Sequence, residues 1–367
     1  MKVLADQYIF QLASLITDQV TLDFFDPDRG LPAEVTEYDA LLIRSVTPVN
    51  KNTLPIPGKL SFIGTATSGY DHLDLDYLKS LGIETAIASG CNANSVAEYV
   101  VTSIYRWATT QGKQLTNLRT GIVGAGSVGT RLNTILQRLN IATVLYDPPR
   151  QEREPAFQSA TLEELLDCDL LSLHTSLTQK GPHATYHLCG KPWLDRGFDL
   201  VLNTARGGVV NEKDLLAAFK EQRIGNYILD AWENEPDFSD EIARHAFIAT
   251  PHVAGYSKES KRRASEMVAT KLCDFLGVKA LDIEAVKYTD TDLDYSGLDL
   301  PFDDFLWRVH NMEHYDLELR KLIGLPSHKK KILFAKLRSE TELRNEFQKI
   351  ANVVDKNKLP DQINVFR

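Results

Sequence analysis

Residues 119–150, RTGIVGAGSVGTRLNTILQRLNIATVLYDPPR, read as strand, glycine turn, helix and second strand, and few other segments limit a fold so tightly. Gly124, Gly126 and Gly129 stand in G-x-G-x-x-G spacing. Alone, that spacing also fits an ordinary strand-to-helix turn. In this context the first glycine permits the tight turn, the second lets the backbone approach a pyrophosphate, and the third allows the helix to pack closely. The N-terminus of the helix then offers unpaired N–H groups to the anion. Asp147 ends the second strand, where its carboxylate can accept hydrogen bonds from an adenosine ribose and repel the extra phosphate of NADP, so NAD is the expected cofactor. Arg150, nearby, leaves NADP open as the alternative.

Around this segment, short β-rich runs alternate with helix-length amphipathic stretches through about residue 255, the pattern of parallel sheets wrapped by helices. The expected class is α/β. KVLA, ALLIR, LSFIG and ETAIA predict early strands, each ending near polar or small residues such as Asp6, Arg44, Ser45 and Thr67. From Asn94 to about Thr110 the sequence predicts one long helix, with Asn94 as its N-cap, leading into a second domain. After Asp147 come a helix at TLEELLDC and four apolar runs, DLLSLHT, DLVLNTARGG, NYILDAWENEP and AFIATPHVAG. If these are parallel strands of one sheet, their carboxyl ends bring Thr175, Arg206, Asp230 or Glu235, and His252 toward the cofactor.

Those side chains suit hydride transfer from a secondary alcohol. The reaction needs a base for the hydroxyl proton and a cation for the developing carbonyl oxygen, and His252 and Arg206 match. An arginine fork also holds an α-carboxylate through two charge-assisted bonds. Glu235, bonded to the second ring nitrogen of His252, would orient the imidazole. Each residue also has a plainer reading, as a structural ion pair, an exposed acid or a packed histidine.

Composition narrows the partners. A chain of 367 residues with net charge −9 favours two or three domains and presents no net positive field toward nucleic acid or anionic membranes. No uncharged apolar run is long enough to span a bilayer and MKVLADQYIF lacks the features of a signal peptide, so a cytoplasmic location is expected. Cys91, Cys168, Cys189 and Cys273 are too scattered for a disulfide framework or metal site and read as reduced thiols. His183 and His187 have metal-like spacing but sit beside Gly181 and Pro182 without a companion carboxylate, so no metal is expected.

The motifs GIVGAGSVG, NTARGGVVNEKDL, LDAWENEP and TPHVAGY, in this order, resemble the D-isomer-specific 2-hydroxyacid dehydrogenases, and the resemblance covers nearly the whole chain. It implies Arg206, Glu235 and His252 as the catalytic set. RSVTPVN, GTATSGYDHLD, GCNANSVAEYV and YDPPR narrow it to members acting on a small phosphorylated 2-hydroxy acid, with substrate contacts at Ser45, Thr67 and Tyr256. Cofactor contacts are implied at Gly124, Gly126, Ser127, Val128, Gly129, Asp147, Thr175, Thr204, Ala205, Asp230 and Gly255. Ser89 and Ser176 depart from the family pattern, which commonly has proline there; both change loop stiffness more than chemistry. A phosphoglycerate-type dehydrogenase and a dinucleotide-sensing corepressor remain alternatives, since fold alone does not prove turnover.

The resemblance also implies two doubly wound parallel-sheet domains: a Rossmann nucleotide domain at 94–255, inserted in a flavodoxin-like substrate domain at 1–93 that is rejoined by 256–285. A small α+β dimerisation domain at 286–367 would make the protein a homodimer. Within that tail, Lys329 to Lys331 read as a solvated face; a tail arginine, or Arg44 of the first domain, is a candidate for gripping the substrate phosphate, with an ordinary salt bridge as the alternative for Arg44.

Overall fold

The computed structural model describes residues 1–279, 300–354 and 359–367. They fall in two compact units, one within Met1–Asn92 and Ser257–Asp292, the other within Ala93–Tyr256 and Leu293–Arg367.

The first unit is built on a five-stranded parallel sheet of β1 (Lys2–Asp6), β2 (Thr21–Phe25), β3 (Ala40–Ile43), β4 (Phe62–Thr65) and β5 (Glu84–Ile87), ordered β2-β1-β3-β4-β5. Every residue of β3 and β4 is buried, because both faces of the sheet are covered and the strands therefore read as continuous apolar runs. One face packs Val3, Ala5, Leu42 and Phe62 against Val268, Ala269 and Leu272 of the helix Lys258–Leu276. That helix starts in a capping box between Ser257 and Ser260 and stops at Gly277, whose φ of 66° suits a residue without a side chain. Strand β2 was not among the expected strands; it is a largely exposed edge whose TLDFF carries no alternating pattern.

The second unit holds a six-stranded parallel sheet: β6 (Arg119–Val123), β7 (Ala142–Tyr146), β8 (Leu170–Leu173), β9 (Phe198–Asn203), β10 (Ile224–Leu229) and β11 (Ile248–Ala249). The order is β11-β10-β9-β8-β6-β7, so the chain leaves β6 first to one side and then to the other. The switch point falls between β6 and β8, the place where open α/β sheets bind ligands. Alternate residues of these strands divide between two cores. Ile122, Leu170, Leu202 and Ile228 face the helices Ala93–Gln111 and Ser127–Arg138; Val123, Leu171, Val201 and Leu229 face Trp193, Leu215 and Ile242 on the other side.

The long helix begins at Ala93, and Asn94 lies inside it rather than capping it. The Asn94 amide instead donates to Gln348 Oε1 at 2.7 Å, drawn there by a tail segment far away in sequence. The described tail is helical: Phe302–His310, Met312–Arg320, Ser327–Ser339, Phe347–Val353 and a 3-10 turn at Asp361–Phe366, with no strand among its described residues. The α+β expectation also involves 286–299, which lie outside the described residues. Tail side chains complete both cores of the second unit, with Phe305, Phe347 and Phe366 on one side and Leu319 and Phe334 on the other. Lys330 corrects the expectation of a solvated lysine face. It is buried, its Nζ donating to Phe238 O at 3.0 Å and to Asp240 Oδ1 at 2.5 Å above the Phe238 ring, while Lys329 and Lys331 are exposed.

Candidate active site

The glycine turn follows β6, and each of its three glycines meets a different demand. Gly124 adopts φ 90°, and a Cβ there would stand 2.9 Å from His174 O, because the end of β8 passes alongside. A Cβ on Gly129 would meet Gly124 O at 2.0 Å, so the helix Ser127–Arg138 rests directly on the turn. At Gly126 a Cβ would meet nothing within 4 Å, which leaves the backbone open to a ligand. Ser127 and Val128 form the first turn of that helix, which no side chain caps.

Asp147, just past β7, accepts from Ala125 N at 2.8 Å and from Arg150 N at 2.9 Å. It caps the short helix Pro148–Arg153, which the sequence reading did not anticipate. Arg150 is held in place by Ala125 O at 2.7 Å and Glu154 Oε2 at 2.9 Å. A cavity of about 510 Å³ opens here, lined by Gly126, Ser127, Asp147 and the guanidinium-bearing Arg131, Arg150 and Arg153. Across the switch point, Thr175 has a buried hydroxyl with no hydrogen-bond partner. Beside it, Thr204 approaches His174 Nδ1 at 3.3 Å, and burial pushes the His174 imidazole down to about 3, so it is neutral. An open glycine edge, an uncapped helix start and an orphaned hydroxyl fit a dinucleotide with its pyrophosphate at the turn.

The candidate catalytic residues Arg206, Glu235 and His252 follow β9, β10 and β11 in turn. His252 Nδ1 and Glu235 Oε1 are 2.6 Å apart, and Glu235 Oε2 accepts from Trp232 N at 3.2 Å. Burial works against the Glu235 charge, but the His252 charge and hydrogen bond, with Arg338 adding to them, outweigh it and hold the carboxyl below its usual value. His252 itself sits at φ 58°, a left-handed backbone unusual for a residue with a side chain. Asp230 fixes that turn: its carboxylate accepts from Thr250 Oγ1 at 2.6 Å, Val253 N at 2.8 Å and Ala254 N at 3.0 Å. Burial raises the Asp230 carboxyl, against the pull of His252 and of these bonds.

Arg206 lies in the turn after β9, with a guanidinium nitrogen donating to Ala205 O at 2.8 Å. A Cβ on Gly207 would meet Trp232 O at 1.8 Å, so the arginine turn is pressed against the loop that carries Glu235. Asn203 links the two, accepting from Ala205 N and donating to Arg206 O and Ala231 O. Sequence reasoning missed Asn203, although NTARGG contains it. It also missed Glu212, which holds the loop from behind by accepting from Glu233 N at 2.7 Å. The second unit thus gathers Arg206, Glu235, His252, Asp230, Ala205 and Tyr256, and carries the dinucleotide turn as well. Ser45 and Thr67 belong to the first unit, beyond the ends of β3 and β4; Ser45 is exposed, and Thr67 Oγ1 donates to Gly69 O. Arg44 Nε donates to the fully buried Asp6 at 2.9 Å. His183 and His187 point to separate acids, Glu152 and Glu233.

Residues 87–254 match the family model described as D-isomer specific 2-hydroxyacid dehydrogenase, NAD binding domain. The chain is 36% identical to erythronate-4-phosphate dehydrogenase of Escherichia coli, the match covering 97% of this chain and 94% of the relative. For the enzyme of the same name from Cronobacter sakazakii the figures are 35%, 95% and 93%. Among solved structures, cofactor (NAD+) bound 3-phosphoglycerate dehydrogenase of Entamoeba histolytica superposes with a TM-score of 0.63 at 23% identity, covering 78% of this chain and 99% of that one. D-lactate dehydrogenase of Aquifex aeolicus, complexed with NAD and lactic acid, gives 0.62 at 22% identity over 76% and 96%. With relatives this similar along nearly their whole length, the chain belongs to the D-isomer-specific 2-hydroxyacid dehydrogenase family, in its erythronate-4-phosphate dehydrogenase branch.

Proposed function

We propose that this protein is an NAD-dependent dehydrogenase that oxidises 4-phospho-D-erythronate to (R)-3-hydroxy-2-oxo-4-phosphooxybutanoate, a step of pyridoxal 5′-phosphate biosynthesis. The observation that carries the reading is the 2.6 Å contact between His252 and Glu235, in the same unit as the dinucleotide turn.

With Nδ1–H donated to the Glu235 carboxylate, the neutral His252 ring keeps a lone pair on Nε2. That nitrogen takes the proton of the 2-hydroxyl as the C2–H bond breaks and C2–O becomes a carbonyl. NAD, when bound, supplies the acceptor for the hydride leaving C2. Glu235 stabilises the imidazolium that forms, and Arg206 holds the α-carboxylate while polarising the developing carbonyl. Asp230 keeps His252 in position through Thr250, Val253 and Ala254.

Gly124, Gly126, Ser127, Val128 and Gly129 would cradle the pyrophosphate, Asp147 the ribose, and Thr175, Thr204, Ala205, Asp230 and Gly255 the nicotinamide half. Ser45, Thr67 and Tyr256 would contact substrate. A cytoplasmic homodimer completes the reading. Exposed Leu317 and Ile332 on the tail helices support association through that segment.

The test is a panel of 4-phospho-D-erythronate, phosphoglycerate, glycerate and lactate with NAD, followed at the reduced-nicotinamide absorbance. Turnover is expected with the first and, for His252→Ala, a fall of about 10²–10⁴-fold. Undiminished turnover by that variant would remove His252 as the base.

A further inference from the structure

The proposed substrate carries two anionic groups, and Arg206 provides a fork for only one of them. The helix Ser327–Ser339 supplies a second cation. Lys330, Phe334 and Arg338 recur every fourth residue and so share one face of that helix. The first two are anchors: Lys330 Nζ is tied to Phe238 O and Asp240, and the buried Phe334 ring packs 5.9 Å from Phe238. Arg338 continues the same face to the hydroxyl of Tyr256, with which it is hydrogen bonded, and into the field of Glu235 and Asp230. Its Nε is buried and has no hydrogen-bond partner. A guanidinium held among carboxylates of the reaction centre, with a desolvated donor left over, is short of an acceptor.

We propose, building on the function proposed above, that Arg338 grips the substrate phosphate together with the Tyr256 hydroxyl and so makes the site selective for a phosphorylated hydroxy acid. A planar fork suits a phosphoryl group, and Nε with a terminal nitrogen can engage two of its oxygens. Without Arg338, Glu235 and Asp230 would oppose a second anion on the substrate. Arg44, the other arginine considered for the role, already donates to the buried Asp6.

The experiment compares wild type, Arg338→Ala and Arg338→Lys in two ways, with thermal melts to verify folding. The first is titration calorimetry of the NAD-loaded protein with inorganic phosphate, which requires no turnover. Arg338→Ala is expected to weaken phosphate binding at least about tenfold, with Arg338→Lys intermediate. The second is steady-state kinetics with 4-phospho-D-erythronate and with D-erythronate. Arg338→Ala is expected to lower kcat/KM for the phosphorylated substrate about 100-fold, mainly through KM, with a loss on D-erythronate at least about tenfold smaller. Equal losses on both substrates would assign Arg338 to positioning Glu235 and Tyr256, and unchanged phosphate affinity would also overturn the proposal. A wild-type protein that fails to oxidise 4-phospho-D-erythronate would reject the proposed function, while the phosphate titration would still decide the role of Arg338.

Discussion

His252 and Glu235 lie seventeen residues apart in sequence, beyond two different strands, yet their Nδ1 and Oε1 atoms are 2.6 Å apart. The Glu235 carboxyl, held below its usual value, keeps its negative charge through neutral pH and faces the imidazole. Glu235→Gln preserves the shape and removes the charge. kcat should therefore fall by about 10²–10⁴-fold, because the imidazolium formed on proton uptake loses its countercharge. Steady-state kinetics on both proteins check this, and an unchanged kcat would refute the coupling.

Two glycines of one turn predict opposite outcomes. A Cβ at Gly126 meets nothing in the protein, so Gly126→Ala should leave the melting temperature unchanged while weakening NAD binding. At Gly129 the same Cβ would strike Gly124 O, and Gly129→Ala should lose several degrees of thermal stability, about 4 °C or more. Melting curves and NAD titrations of the two variants separate the cases.

Asp147 shares its cavity with three arginines, Arg131, Arg150 and Arg153. Asp147→Ser keeps an oxygen able to cap the helix Pro148–Arg153 and removes the charge that opposes a 2′-phosphate. The NADP/NAD ratio of kcat/KM should rise at least about tenfold, equivalent to about 1.4 kcal/mol. A ratio unchanged in parallel assays would remove Asp147 as the discriminator.

Burial pushes the Glu212 carboxyl up to about 8, with the nearby Glu233 and Glu235 charges adding to it. The native state therefore holds a proton that the unfolded chain releases near the ordinary value of 4.5. Stability from this group is greatest below 4.5 and declines as pH rises toward 8. Glu212→Gln can still accept from Glu233 N, so it should flatten that decline and exceed wild type by several kcal/mol, up to about 5, at alkaline pH. Urea denaturation across the range gives the answer; a parallel decline in the variant would contradict it.

Arg344 Nη1 lies 2.6 Å from Glu98 Oε2, with the carboxylate fully buried, and joins the tail to the long helix Ala93–Gln111. Arg344→Met should cost about 3–5 kcal/mol by leaving the charge unpaired. Adding Glu98→Gln should recover part of that loss. Full additivity of the two substitutions in denaturation would show that they do not interact.

The glycine turn and the polar residues after β8 to β11 were legible because local spacing and strand ends carry them. Strand β2 was not, since an exposed edge needs no apolar alternation. Asn94 resembled an N-cap only while Gln348, its actual partner, was unknown. Lys330 in KKK reads as solvated, yet one lysine of three turns inward to Asp240 and Phe238 O. Arg338 was equally hidden: its neighbours Tyr256 and Glu235 follow from how the tail helix docks, which no local pattern records.

The left-handed backbone at His252 places a bulky ring where glycine would rest more comfortably, at a disadvantage of about 1–2 kcal/mol. A search for thermostable variants should therefore select His252→Gly together with Glu235→Gln, which leaves no buried charge unpaired, sacrificing turnover for a relaxed loop. Chemical competence and folding robustness pull against each other at a single torsion angle.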